Sequence, residues 1–88
     1  MELPLTENQL NVIVKVIDER DRQDQIWGKQ SHSDFKWTTI LAEELGEAAK
    51  DTFDGSRLQQ LQEEVIQCAA VAVAWAEDLE ERINRNEP

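Results

Sequence analysis

Glu44, Glu47 and Asp51 follow one another at intervals of three and four residues inside a segment with helical periodicity. At about 100° per residue, Glu44 falls between Trp37 and Ile40 on the helical wheel, Glu47 lies beside Ile40, and Asp51 falls between Ile40 and Glu44. These acids line the margin of an apolar face, with Glu44 well inside it. A fourth acid, Glu64, sits at the edge of the apolar stripe of the next helical segment, close to Val71 and Trp75 on the wheel. A short turn joins the two segments, so they are expected to pack as an antiparallel pair, and Glu44, Glu47 and Glu64 can then converge. Two carboxylates about 5 Å apart repel by roughly 3 kcal/mol at an effective dielectric near 20. Three of them in a partly buried cleft need either protonation or a cation. Ligands that are all oxygens suit Mg²⁺ or Mn²⁺ rather than zinc. The plainer use of the same acids is interhelical ion pairing with Lys36, Lys50 or Arg57.

The elements that must position these acids are helices. Gly and Pro are scarce, no strand-like alternation is present, and two breaks, Gly28 to Ser33 and Asp54-Gly55-Ser56, divide the chain into three helical candidates. The first opens on Thr6 with Gln9 three residues later, a capping-box pattern. Leu10, Ile13, Val14 and Ile17 form one apolar face of it, and Val12 and Val16 a second stripe. The second candidate begins near Ser33 or Asp34, runs to about Thr52, and turns Trp37, Leu41, Leu45 and Ala48 to the core. The third begins near Ser56 or Arg57 and runs to about Asn84. Its long stripe is Leu58, Leu61, Val65, Cys68, Ala69, Ala72, Ala76, Leu79 and Ile83, widened by Ile66 and Val73 on one flank and by Val71 and Trp75 on the other. Such a helix belongs at the centre of a bundle or at a subunit interface. The expected fold is all-α: one domain over residues 1–88, a bundle of three to four helices completed by dimerisation.

Size and charge narrow the function. A chain of 88 residues hides only somewhat over roughly 60% of its unfolded surface, so burial against a second copy would help. Nineteen acidic residues against nine basic ones, a formal net charge of −10, argue against a nucleic-acid binder, which needs clustered Lys and Arg. An acidic chain can take a polyphosphate only where a metal inverts the local field. With one cysteine, no long apolar run and no secretion-signal pattern in Met1 to Glu7, a cytoplasmic protein without disulfides or membrane contact is expected.

The stretch from Trp37 through Ile40, Leu41, Glu43-Glu44-Leu45-Gly46-Glu47 to Lys50, followed by Leu61-Gln62-Glu63-Glu64-Val65 to Ala70, resembles the MazG-like all-α NTP pyrophosphohydrolases. That family carries EExxE on one helix and ExxD on the next. Glu43, Glu44 and Glu47 match the first motif and Glu64 the leading acid of the second; the resemblance runs from about Arg20 to Glu80. It implies Mg²⁺ (or Mn²⁺) held by Glu44, Glu47 and Glu64, and a nucleoside triphosphate cut between its α and β phosphates. It also implies a homodimer or a dimer of dimers. The chemistry it implies is metal-assisted attack by water, with one carboxylate among Glu43, Glu44 and Glu47 orienting or deprotonating the nucleophile; Glu43, beside the ligands but rotated off the apolar face, is a candidate to position that water. Where the family has its second Asp, this chain has Gln67, whose carbonyl can still coordinate but brings no charge. Asp78 lies roughly 16 Å further along the helix, too far to substitute, whereas Asp51 is a possible replacement ligand. The alternative function is a catalytically lapsed module that binds a nucleotide or a protein partner through the same face.

Several residues carry weaker readings. Trp27 could stack on a base, and Trp37 could too, although core packing suits Trp37 better. Lys29, Lys36 and Arg20 could meet phosphates. His32 is a lone histidine in a polar loop, and Cys68 reads as an inert core thiol.

Overall fold

The computed structural model describes residues 4–86, in three helices: α1 (Glu7–Trp27), α2 (Asp34–Asp54) and α3 (Leu58–Asn84). Each start and stop has a local cause. The Thr6 hydroxyl accepts from the Gln9 N–H at 3.0 Å while the Gln9 side-chain oxygen accepts from the Thr6 N–H at 2.8 Å, completing the capping box. Ser33 caps α2 by accepting from the Lys36 N–H at 3.2 Å. At the far end of α2, Gly55 adopts a left-handed φ of 71°. This lets the Ser56 N–H reach the Asp51 carbonyl at 3.1 Å and the Gly55 N–H the Thr52 carbonyl at 3.4 Å. That paired closure ends α2 and returns the chain for α3 within three residues.

α3 is the shared wall. It packs against both α1 and α2, which do not pack on each other. α1 runs parallel to α3, joined by Lys15 to Gln62 at 2.8 Å, Arg20 to Glu77 at 3.0 Å and Lys29 to Glu81 at 2.7 Å. α2 runs antiparallel to α3, and these two helices carry the buried core: Trp37, at 1% exposed, and Ala48 from α2, and Ile66, Ala70 and Val71 from α3. Among the described residues no helix is long and apolar enough to cross a membrane.

α3, expected at the centre of a bundle or at a subunit interface, lies between α1 and α2, which cover its flanks and leave part of its stripe open. Ile66 and Val71 are buried, while Leu58, Val65 and Ile83 stay 81%, 51% and 64% exposed and Ala72 and Ala76 lie open. α1 has no buried residue at all, and Leu45, expected in the core, is 62% exposed. The all-α bundle is therefore present within one chain, with much of its apolar surface uncovered.

Among the described residues the one buried charged side chain is Asp78. Its carboxylate accepts from the Trp37 indole N–H at 2.8 Å, the His32 backbone N–H at 3.1 Å and the Ser31 hydroxyl at 3.2 Å. These donors hold its carboxyl below the ordinary aspartate value, led by the Trp37 bond and opposed by burial. Just outside, Asp34 accepts from Trp75 at 3.1 Å and from Arg82 at 2.8 Å, tying the start of α2 to the end of α3. Trp37 thus belongs to the core, as its packing reading had it, and His32 meets it edge-on with ring centroids 4.8 Å apart.

Because the folded carboxyl titrates below the unfolded value of 3.8, the stabilisation from Asp78 is complete above that value and disappears as pH falls through the lower folded one. Asp78→Ala should cost about 2–4 kcal/mol, since it strands a buried indole donor and a backbone N–H. Asp78→Asn should flatten the acid limb of the melting curve below about pH 4. Thermal melts from pH 3 to 7 check both outcomes.

Candidate metal centre

Glu44 and Glu47 stand one turn apart on α2, and Glu64 stands opposite them in the first half of α3. Each offers one carboxylate oxygen, and the three oxygens lie within 4.8 Å of one another. Opposite oxygens in an Mg²⁺ shell stand about 4.2 Å apart, so the triad is slightly wider than the shell it would form. Glu44 and Glu64 are half-buried, and Glu47 is exposed.

The electrostatics are unfavourable as they stand. Burial, then the neighbouring charges of Glu47 and Glu64, push the Glu44 carboxyl above its ordinary value. Burial, then Asp51 and Glu47, do the same to Glu64. Three carboxylate oxygens, Glu44 Oε2, Asp51 Oδ2 and Glu64 Oε2, are inaccessible to water and have no hydrogen-bond partner. The ion pairs to Lys36, Lys50 or Arg57 that would neutralise these acids are not among the bridges of the described residues. Orphaned, hard, anionic oxygens that converge are what a hard divalent cation satisfies.

The other sequence candidates fall into two groups. Glu43 is exposed next to the triad, and its charge adds to the pressure on Glu44. Gln67, one turn beyond Glu64, lines a groove between α1 and α3 with Lys15, Glu19 and Arg22. Trp27 and Lys29 are at the other end of the bundle: Trp27 is 70% exposed, and Lys29 pairs with Glu81, roughly 25 Å along α3 from Glu64. Lys36 is exposed in the first turn of α2, roughly 16 Å along the helix from Glu47. Arg20 is held by Asp24 and Glu77. Cys68 is half-buried, and burial followed by the charges of Glu44, Glu64 and Glu47 raises its thiol, which suits an inert residue.

Two neighbours of the triad were not singled out in the sequence. Glu19 of α1 adds its charge to the pressure on Glu44, and Arg22, paired to Glu19 at 2.7 Å, feels Glu44 in turn. Both belong to the polar stretch Asp18 to Gln25, where nothing distinguishes one acid from the next. No family model, curated protein or solved structure matches the chain.

Because Glu44 and Glu64 titrate above 4.5 when folded, their cost to stability is full above the raised values and is relieved as pH falls toward 4.5, opposite in sign to Asp78. Glu64→Gln should therefore raise the Tm measured in chelator at pH 7, and the gain should shrink as pH falls toward 4.5. If the three acids hold a cation, millimolar Mg²⁺ or Mn²⁺ should raise the Tm of the unsubstituted chain and leave that of Glu64→Gln unchanged. Differential scanning fluorimetry with and without the ion reads both effects.

Proposed function

We propose that the chain is a Mg²⁺-dependent nucleoside triphosphate pyrophosphohydrolase, converting an NTP or dNTP to monophosphate and pyrophosphate in nucleotide-pool house-cleaning. The observation that carries this reading is the convergence of Glu44, Glu47 and Glu64, with two of their oxygens buried and unpartnered. The resemblance of Glu43, Glu44, Glu47 and Glu64 to the paired acidic motifs of the MazG-like enzymes supplies the reaction class.

The donor set fits a hard divalent cation. Glu44, Glu47 and Glu64 would hold it, with Gln67 or Asp51 as the further oxygen donor. Of these two, the orphaned Oδ2 of Asp51 and its place as the leading charge on Glu64 favour Asp51. Bound there, Mg²⁺ would supply positive charge against the phosphate oxygens. The chain's own groups do the rest. Glu43 is exposed beside the triad and can take the proton of the water that attacks the α-phosphorus. The bond from that phosphorus to the bridging oxygen then breaks, and pyrophosphate leaves with the electron pair. Lys15, which lines the adjoining groove, would offer a cation to the departing end, while Arg22 there is already paired with Glu19.

A binding-only module is the second reading, favoured by the neutral Gln67 where the family has an acid. Nucleotide binding without turnover, with turnover appearing in Gln67→Asp, would establish it.

With Mg²⁺, pyrophosphate should be released from at least one member of a panel of canonical and damaged dNTPs, and Glu44→Gln and Glu47→Gln should each lower the rate at least about 100-fold with helix content intact. A folded protein without turnover on the whole panel excludes the enzyme. Separately, Mn²⁺ titration without nucleotide should show Asp51→Asn binding at least about tenfold more weakly, a difference of about 1.4 kcal/mol, and Gln67→Ala nearly unchanged.

A further inference from the structure

Among the described residues α2 packs on α3 alone, and Trp37 and Ala48 are the side chains it buries. Its hold on α3 is therefore concentrated at two ends. At one, the three-residue turn at Gly55 joins the helices covalently. At the other, the Asp78 carboxylate accepts from the Trp37 indole N–H at 2.8 Å, with both residues buried, and Asp34 accepts from Arg82 at 2.8 Å just outside. Glu44, Glu47 and Glu64 lie between the two ends. Glu44 is seven residues, roughly 10 Å, beyond Trp37, and Gly55 is eight residues, roughly 12 Å, beyond Glu47.

This arrangement sets one force against another. Converging carboxylates in a partly buried cleft repel, and the repulsion pushes α2 away from α3. The turn resists at its own end only and acts as a hinge about which the helices can splay. At the open end the splay would break a hydrogen bond to a buried charge, and few contacts are harder to give up. The charge of Asp78 itself does not reach the triad. Asp78 stands fourteen residues, roughly 21 Å, along α3 from Glu64, more than twice the screening length of about 8 Å in physiological salt. Whatever Asp78 does for the triad, it does through geometry.

We propose that the Trp37–Asp78 contact is a clamp that keeps Glu44 and Glu47 within reach of Glu64, which makes Trp37 and Asp78 positioning residues for a divalent cation that neither of them touches. Their role rests on the cation reading of the triad given under Proposed function. Clamp and cation both favour the closed hairpin, so each strengthens the other by the same factor.

The test is Mn²⁺ titration of the full chain, read from the paramagnetic resonance signal of the free ion. The temperature is one at which circular dichroism shows each variant fully folded. Trp37→Phe keeps an aromatic ring in the core, alters no charge and removes the indole donor. It should weaken Mn²⁺ binding at least about fivefold. Asp78→Asn presents one amide oxygen to the three donors that two carboxylate oxygens now meet. It should weaken binding in the same direction, and it decides the matter if Trp37→Phe does not fold. Ile66→Val trims the core of α3 away from the clamp, and it should lower the Tm while leaving the binding constant unchanged. A merely structural role for Trp37 would likewise move the Tm alone. Folded Trp37→Phe or Asp78→Asn that binds as tightly as the unsubstituted chain overturns the clamp and leaves the cation reading standing. So does an equal loss of binding in Ile66→Val. An unsubstituted chain that takes up no Mn²⁺ overturns both.

Discussion

Asp78 places a charge where water does not reach, and its two oxygens are met by three donors from one short stretch of chain, Ser31 to Trp37. Removing either side of that contact leaves buried groups unsatisfied, so the bond has few alternatives and fixes how α2 lies along α3. From Trp37 forward to Asp51 is fourteen residues, and from Asp78 back to Glu64 is the same fourteen, close to four turns in each helix. Once the indole meets the carboxylate, Glu64 therefore arrives opposite the acids of α2. A slip of one turn would carry it about 5 Å away and dissolve the cluster. The charge too distant to join the cluster is the one that sets the register in which the cluster forms.

The bundle thus contains two groups of carboxylates under opposite constraints. Asp78 is buried with its hydrogen bonds made, and its ionised form stabilises the fold. Glu44 and Glu64 are partly buried with oxygens unmade, and their ionised forms oppose it. A protein this small has little stability in reserve. Retaining the second group at a cost makes sense where the group is used, and a cation is the partner that reverses the sign of its contribution.

Much of this was legible in the residues. Glycine at position 55, the Thr6–Gln9 box and the 3.6-residue periodicity gave three helices, with ends within about two residues of those observed. The three- and four-residue spacing of Glu44, Glu47 and Asp51 put them on one face, and the short turn brought Glu64 across. The less legible part concerned which side of a helix meets which neighbour. α3 is apolar over more than half its circumference, so periodicity could not say that its flanks would be covered while Leu58, Val65, Ala72, Ala76 and Ile83 of its stripe stay exposed. Asp78 did leave a trace: it shares a flank with Val71 and Trp75 at helical spacing, and an acid on an apolar flank next to a tryptophan is a candidate for a buried, hydrogen-bonded charge. Trp27 and Lys29 read as neighbours of the site because they precede α2 in sequence, but a parallel α1 carries them to its far end.

That α1 touches only α3 has a consequence for how the chain acquires its structure. The α2–α3 pair closes across a three-residue turn, at little entropic cost, whereas α1 reaches α3 through partners such as Lys15 and Gln62, separated by 47 residues. Local closure comes first and distant closure later, so the hairpin carrying the triad is expected to form before α1 settles against it. Its acids then meet before Glu19 and Arg22 close the near side of the cleft, which leaves an interval in folding when the cluster is open to solvent and its mutual repulsion is least confined.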